Sequence, residues 1–458
     1  MIMQKIHFIG IGGIGVSALA QYYLAQGWQV SGSDLVESEI TRALQKLGAE
    51  VYIGTKSLAQ RLPDLVIFSE AVRPENPERA EANELKIPAN TYAQALGKLT
   101  KQYKTIAIAG AHGKSTTTAM IGLIMEQAGL DPTVIVGTKV KEFSNSTRSA
   151  GSGSITSEAE GSNFRLGKSE YLVIEACEYA RSFLNYWPEV AVVTNIEVDH
   201  LECYDNMENL VRTFAEFAGH LPGNGVLVAN GDDPGVTEMI DRMARKPELK
   251  VFSLKQPESE KLRSLLKIPG EHNVANAIAA LAVARRLGID DKTTFETLAR
   301  YNGAWRRFEE REITLDGKRV TMVADYGHHP TQIKLTLEGA RSKWPDKKII
   351  CVFQPHQALR THLLFDDFVK VLQNAPIDRV LVTDIYQVAG RENEEVSKKV
   401  SGKKLASAAG KDSVEYVPRD SIMEDLRKNI ADGDVLMIMG AGNIYDLAVE
   451  LAGSCQPY

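Results

Sequence analysis

No apolar run in this 458-residue chain approaches the roughly 20 residues that a membrane-spanning helix needs. Cysteine is scarce: Cys177, Cys203, Cys351 and Cys455 are scattered, with no Cys-x-x-Cys pair. That argues against a disulfide frame or a zinc ribbon and suits reduced thiols in a cytosol. A basic excess is also missing. Lys and Arg total 53 against 59 Asp and Glu, a net charge of −6, so nucleic acid is disfavoured as a partner. No repeat of roughly 20–50 residues is visible, which disfavours a solenoid. The apolar start, MIMQKIHFIGIGGIG, resembles a short signal core, but no stop-transfer segment or clear cleavage site follows. It reads instead as a strand that stays in the mature protein.

What is present is ordinary globular composition, 44% hydrophobic and 24% charged, with two to four domains expected at roughly 100–200 residues each. Short Val- and Ile-rich runs alternate with helical stretches: KIHFIGI, WQVSGSD, LVIFSEA, TIAIAG, YLVIEA, VAVVTNI, GVLVAN, KIICVFQ, RVLVTDI and DVLMIMG. Most end at Gly, Asn or Asp. This is the pattern of parallel strands covered by helices, and it predicts an α/β protein of three domains in series. Boundaries are expected near Lys101–Lys104, a polar stretch, and near Trp305–Phe308. Residues 144–169 are rich in Ser and Gly and lack periodicity, which reads as a surface loop or as a mobile cover over a substrate.

Two glycine turns follow strands. The first, Gly10-Ile11-Gly12-Gly13-Ile14-Gly15, fits G-x-G-x-x-G before a helix expected over Val16–Ala25. Glycines let backbone N–H groups approach a diphosphate at a helix N-terminus. Asp34 ends the next strand, placed to take a ribose or base hydrogen bond. Alone, the motif does not separate NAD, FAD and a UDP-sugar. The second, Gly110-Ala111-His112-Gly113-Lys114-Ser115-Thr116, is a phosphate-binding loop. Its N–H groups cradle an anion, Lys114 reaches β/γ-phosphates, and the Ser115 hydroxyl can bind Mg²⁺.

Later strand ends carry Glu175, with Glu178 three residues on, and then Asn195, Asp199 and His200. Glu175 is placed to hold Mg²⁺ opposite Ser115. His200 reads as a second metal ligand, a phosphate contact or a hydrogen-bonded structural residue. His272, Asn273 and Asn276 begin an apolar helix expected over Ala277–Leu287, where the amides either cap the helix or read an adenine edge. Arg306 is placed to swing across a domain gap to a phosphate, or to make a surface ion pair. No Ser-His-Asp or Cys-His arrangement is readable from spacing.

The segments IHFIGIGGIG with Ser17-Ala18, GAHGKSTTTAM, VVTNIEVDH, GEHNVANA, RRF, DYGHHPT and FQPH–xxx–RT, in this order, make the chain resemble the Mur ligase family. That family builds the peptide stem of peptidoglycan. The resemblance covers essentially the whole chain. It implies a Rossmann-like domain over 1–103 that binds UDP-N-acetylmuramate. A central P-loop ATPase domain over 104–305 and a Rossmann-like domain over 306–458 that delivers the amino acid would follow. It implies ATP and Mg²⁺, UDP-N-acetylmuramate and L-alanine as substrates, a cytoplasmic monomer or homodimer, and no membrane insertion. An alternative acceptor is the murein tripeptide.

By the same resemblance, the catalytic set is Lys114, Glu175, His200 and Arg306. Ser115, Glu175 and His200 surround metal. Residues Gly110, Ala111, His112, Gly113, Lys114, Ser115 and Thr116 hold the nucleotide, with His272, Asn273 and Asn276 near adenine, Arg306 on the γ-phosphate and Asp325 on the ribose. The UDP-sugar falls to Gly10, Gly12, Gly13, Ile14, Gly15 and Asp34, and the amino acid to Tyr326, His328, His356 and Arg360. The implied chemistry activates a carboxylate as an acyl phosphate, with domain closure keeping water out. Three departures stand out. Ala111 replaces a usual threonine. Cys177 and Tyr179 stand where alanine-adding members have Asp and Ser, and the tyrosine is shared with a tripeptide-attaching relative. Gln357 follows His356 where arginine is usual, and it lacks that residue's charge and fork.

Overall fold

The structure is a computed structural model and describes residues 4–145, 161–197, 203–204, 206–388 and 394–453. The chain divides into two compact units, 1–265 with 275–301 and 266–274 with 302–458. Among the described residues no helix is long and apolar enough to cross a membrane.

The first unit holds two sheets. One has five parallel strands in the order Glu50–Ile53, Gln29–Asp34, Lys5–Ile9, Leu65–Phe68, Ala89–Thr91. The other has seven, in the order Glu248–Phe252, Val226–Asn230, Val190–Val193, Lys104–Ala109, Tyr171–Glu175, Thr133–Val140, Ser162–Arg165. Inner strands such as Leu65–Phe68 and Val190–Val193 are aliphatic and largely buried, as a helix-covered parallel sheet requires, whereas the inner strand Gln29–Asp34 is mostly polar. Lys104–Ala109 pairs with Tyr171–Glu175 on one side and Val190–Val193 on the other. Its C-terminal end therefore lies at a point where the strand order reverses, the usual place for a ligand crevice.

The second unit holds six strands in the order Glu309–Leu315, Lys318–Asp325, Val435–Met439, Ile349–Phe353, Arg379–Val382, Val414–Tyr416. Asp325 and Phe353 both pair with Met439, so the residues after these strands meet at one edge.

All ten expected strands are present. The sheets are mostly parallel, as expected, with two antiparallel pairings: Glu309–Leu315 and Lys318–Asp325 form a hairpin closed by Asp316-Gly317, both at positive φ, and Ser162–Arg165 runs antiparallel to Thr133–Val140. Other expectations need correction. The strand Ser162–Arg165 lies inside the stretch expected to be loop. Its Ser162, Asn163 and Arg165 are buried through polar contacts, so composition hid it. Residues 146–160 of the expected loop lie outside the described residues. The first helix begins at Ile14, so Gly15 sits in its first turn, and the later helix spans Glu271–Arg286, so His272, Asn273 and Asn276 ride on it.

Close packing joins the two sheets of the first unit. Asn163 donates to the Ile14 carbonyl (2.5 Å) and to Ser17 Oγ (2.9 Å), and Lys139 pairs with Glu39 at 2.9 Å. Gly97, on the helix Tyr92–Thr100, lies so near the 3₁₀ segment Tyr179–Asn185 that a Cβ there would stand 2.4 Å from the Asn185 carbonyl oxygen. Backbone on backbone cannot yield cheaply. Gly97→Ala should therefore lower stability by about 1–3 kcal/mol, read as an earlier denaturant midpoint. An unchanged midpoint would show that this contact is loose.

Candidate active site

The loop after Lys104–Ala109 is shaped by two glycines and by the neighbouring strand end. Gly110 (φ 136°) and Gly113 (φ 84°) adopt backbone that side chains disfavour. A Cβ on Gly110 would meet Thr194 Oγ1 at 2.0 Å, and one on Gly113 would meet Asn276 Oδ1 at 2.3 Å. Thr194 Oγ1 donates to the His112 carbonyl (2.6 Å). Asn195 accepts from His112 N (2.8 Å) through its side chain, donates to the His112 carbonyl (3.0 Å), and accepts from Ala111 N (3.1 Å) through its backbone. The loop is thus tied down from one side. His112 Nε2 lies 3.1 Å from Glu197 Oε2.

The helix Lys114–Gln127 starts at the lysine with no side-chain cap, leaving its first N–H groups to face an anion. Ser115 and Thr116 are buried in its first turn. Lys114 Nζ donates to the carbonyls of Gly110 and Ala111 and pairs with Glu178 at 2.9 Å. Burial opposes its charge, but the Glu178 carboxylate outweighs this and holds the ammonium above its ordinary range. Burial, then Glu178, pushes the Cys177 thiol up to about 12.

Glu175 differs from Glu178. Its Oε1 is buried without a hydrogen-bond partner, and its Oε2 lies where a Cβ on Gly137 would collide at 2.2 Å. An orphaned carboxylate oxygen in a glycine-lined recess fits a hard divalent cation. Ser115 is the other described member of the expected metal set. His200 and Asp199 lie outside the described residues.

The first glycine turn is assembled in the same way. Gly10 N and Ile11 N donate to the Ser33 carbonyl, and Asp34 Oδ2 accepts from Gly12 N at 2.8 Å. The Asp34 carboxylate therefore braces the turn as well as standing at the strand end. Gly13 caps the helix without a side chain, and Gly15 lies against the Tyr92 ring, 3.0 Å from its Cζ to where a Cβ would be. Gly10, Gly12, Gly13, Ile14, Gly15 and Asp34 are brought together.

In the second unit, Asp325 accepts from Phe308 N (2.9 Å) and Gly327 N (2.8 Å), and burial raises its pKa. Arg306 has positive φ and donates to the carbonyls of Gly440 (2.7 Å) and Gly442 (3.1 Å), not to a surface carboxylate. Its guanidinium lies over the rings of Trp305, Tyr326 and Tyr445, and burial lowers its pKa. Tyr326, His328, His356 and Arg360 form a chain. Tyr326 and His328 meet edge to face, the His328 and His356 centroids are 5.7 Å apart, and Arg360 Nη1 is 3.3 Å from His356 Nδ1. Gln357 (φ 68°) donates its N–H to the Tyr386 carbonyl. Asn273, in this unit, donates to the Pro269 carbonyl rather than capping the helix. His272 also belongs to it, whereas Asn276 belongs to the first unit.

Sequence reasoning left Thr194 and Asn195 without a role, although the Thr-Asn that follows a buried strand was the available signal. It also missed Asn163 and Tyr386, which stacks on His356 at 5.5 Å. No spacing rule reaches either.

Three family models match: "Mur ligase family, catalytic domain" over 5–104, "Mur ligase middle domain" over 108–284, and "Mur ligase, glutamate ligase domain" over 306–442. The chain is 36% identical to UDP-N-acetylmuramate–L-alanine ligase of Caldanaerobacter subterraneus, over 97% of this chain and 96% of that one. It is 37% identical to the protein of that name from Aquifex aeolicus, over 96% of each. The crystal structure of UDP-N-acetylmuramate–alanine ligase from Thermotoga maritima superposes with a TM-score of 0.77 at 26% identity, covering 98% of both chains. A murein peptide ligase from Psychrobacter arcticus reaches 0.71 at 21% identity, covering 99% and 100%, a likeness of fold.

Gly113→Ala should weaken ADP binding at least about tenfold, because strained backbone and a displaced Asn276 both disturb the loop. Calorimetric titration checks this, and an unchanged affinity contradicts it. At pH 8 Cys177, with its raised pKa, should be almost wholly neutral thiol. Peptide mapping after iodoacetamide should find it far slower to alkylate than a model thiol, since only thiolate reacts.

Proposed function

This chain belongs to the Mur ligase family, and we propose from that premise that it joins L-alanine to UDP-N-acetylmuramate with ATP driving the step. It is an ATP-dependent carboxylate–amine ligase of peptidoglycan precursor synthesis. One observation carries the reading: the Gly110–Thr116 loop, with Lys114 and a buried, partnerless Glu175 oxygen beside it, in a chain whose full-length relatives at 35–38% identity bear this activity's name. The segments 1–103, 104–305 and 306–458 would serve the UDP-sugar, the nucleotide and the amino acid.

The chemistry explains the site. A carboxylate is a poor acyl donor because it would have to expel oxide. The muramoyl carboxylate displaces ADP from the γ-phosphorus and becomes an acyl phosphate. The alanine amine then attacks the acyl carbon. Phosphate leaves with the electrons of the C–O bond, and the amine gives up a proton.

The loop N–H groups and Lys114 stabilise phosphate charge. Glu175, Ser115 and His200 would hold Mg²⁺, which when bound would neutralise phosphate charge. His112, Thr116, Asn276, His272 and Asn273 complete the nucleotide set, with Asp325 for the ribose and Arg306 for the γ-phosphate. The turn Gly10–Gly15, braced by Asp34, receives the UDP diphosphate. Tyr326, His328, His356 and Arg360 take the amino acid, and with Gln357 uncharged, Arg360 carries its carboxylate.

The murein tripeptide is the disfavoured acceptor, since the 35–38% identical relatives are alanine ligases and the peptide-ligase likeness is one of fold. The deciding experiment is phosphate release from MgATP, with UDP-N-acetylmuramate and either L-Ala, Gly, L-Ser or the tripeptide. Release should require both the UDP-sugar and L-Ala. Release with the tripeptide alone would reassign the acceptor and make Cys177, Tyr179 and Gln357 its markers. Lys114→Ala should cut turnover at least about 10²-fold while UDP-sugar binding persists. Surviving turnover would remove Lys114 from the mechanism.

A further inference from the structure

Lys114 Nζ has three protons and four acceptors around it: the Gly110 and Ala111 carbonyls and both oxygens of Glu178, at 2.9 and 3.2 Å. Every proton is spoken for, so an arriving phosphate must displace a partner. The two carbonyls belong to the loop and cannot leave without opening it. Glu178 belongs to a different segment, so its carboxylate is the partner that can be given up with the loop intact. Its carboxylate is only 2% exposed, so the pair lies out of water, where each charge depends on the other.

The backbone that presents Glu178 is fixed. Tyr204 Oη donates to the Glu178 carbonyl at 2.6 Å, and Phe183 N donates to the Cys177 carbonyl at 3.1 Å. Directly afterwards Ala180 (φ 50°) and Arg181 (φ 55°) are both left-handed, a strained turn of the kind that clusters at functional sites. Phe183 holds the turn down, stacked on Phe217 at 4.8 Å and edge-on to Phe214 at 5.0 Å. Glu175, whose Oε1 is buried without a hydrogen-bond partner, acts on the lysine through its charge more weakly than Glu178.

We propose that Glu178 is a positioning residue that holds Lys114 against the loop and yields it to the nucleotide phosphates, so that it sets how tightly nucleotide is held and how readily it leaves. The proposal rests on the nucleotide reading of the loop. Binding separates a buried pair and leaves the Glu178 carboxylate facing phosphate, and this opposes affinity. After turnover the carboxylate reclaims the lysine and helps expel the product.

The test is calorimetric titration of the full chain with MgADP, together with kcat and KM for ATP, for wild type, E178Q and E178D. E178Q removes the competing charge with little change of shape. It should bind MgADP about tenfold more tightly, with KM for ATP and kcat falling together as release slows. E178D keeps the charge but draws it back one methylene, and should shift the same way by less. If E178Q does not fold, E178D alone decides. Unchanged or weaker MgADP binding in the folded variant overturns the proposal, since a merely structural role would weaken binding. Wild-type protein that fails to bind MgADP overturns the nucleotide reading itself.

Discussion

The turn from Gly110 to Lys114 keeps its shape because two of its positions have no room for a side chain and because Thr194 and Asn195 bind it from the next strand. A phosphate-binding loop must point N–H groups outward, and inside so short a turn only Lys114, on the Gly110 and Ala111 carbonyls, ties the backbone. The rest of the holding is delegated. Lys104–Ala109 sets the height of the turn, Val190–Val193 delivers the Thr194–Asn195 clamp, and Tyr171–Glu175 delivers the carboxylates. Parallel pairing does this automatically, since it brings three strand ends to one edge.

Around that loop the charges are divided. One carboxylate, Glu178, spends both oxygens on Lys114, whereas Glu175 keeps a buried oxygen without a protein partner. The division matches the chemistry of transferring a phosphoryl group to a carboxylate. That step needs a cation held ready by the chain and a separate place for a hard metal ion. The first sheet also ends a strand in a glycine turn, with Asp34 bracing Gly12 instead of a lysine reaching inward. The second unit gathers Tyr326, His328, His356 and Arg360 in a chain of ring and guanidinium contacts.

Much of this was legible in the sequence. A strand buried on both faces has to be aliphatic, so all ten Val- and Ile-rich runs could be read, and the glycine turns followed from them. What escaped did so for identifiable reasons. Glu50–Ile53 and Glu248–Phe252 are edge strands, largely exposed, and carry no apolar run. Ser162–Arg165 is buried by hydrogen bonds and ion pairs: Arg165 meets Glu126, Asp131 and the Pro132 carbonyl. Polar burial looks like a loop when only hydrophobicity is consulted. The hairpin over Glu309–Asp325 closes at Asp316-Gly317, and neither of its strands is among those ten runs. Contacts such as Asn163 on Ser17 or Tyr386 on His356 join residues far apart in the chain, and only the fold reveals them.

The account turns on one covalent claim, that the muramoyl carboxylate itself becomes the acyl donor by taking the γ-phosphoryl group. UDP-N-acetylmuramate labelled with ¹⁸O in both carboxylate oxygens, turned over with MgATP and L-alanine, tests it directly. One labelled oxygen should appear in every inorganic phosphate released, and the other should remain in the amide. Phosphate free of label would mean that the carboxylate never attacked phosphorus, and the ligase mechanism drawn from this site would be wrong.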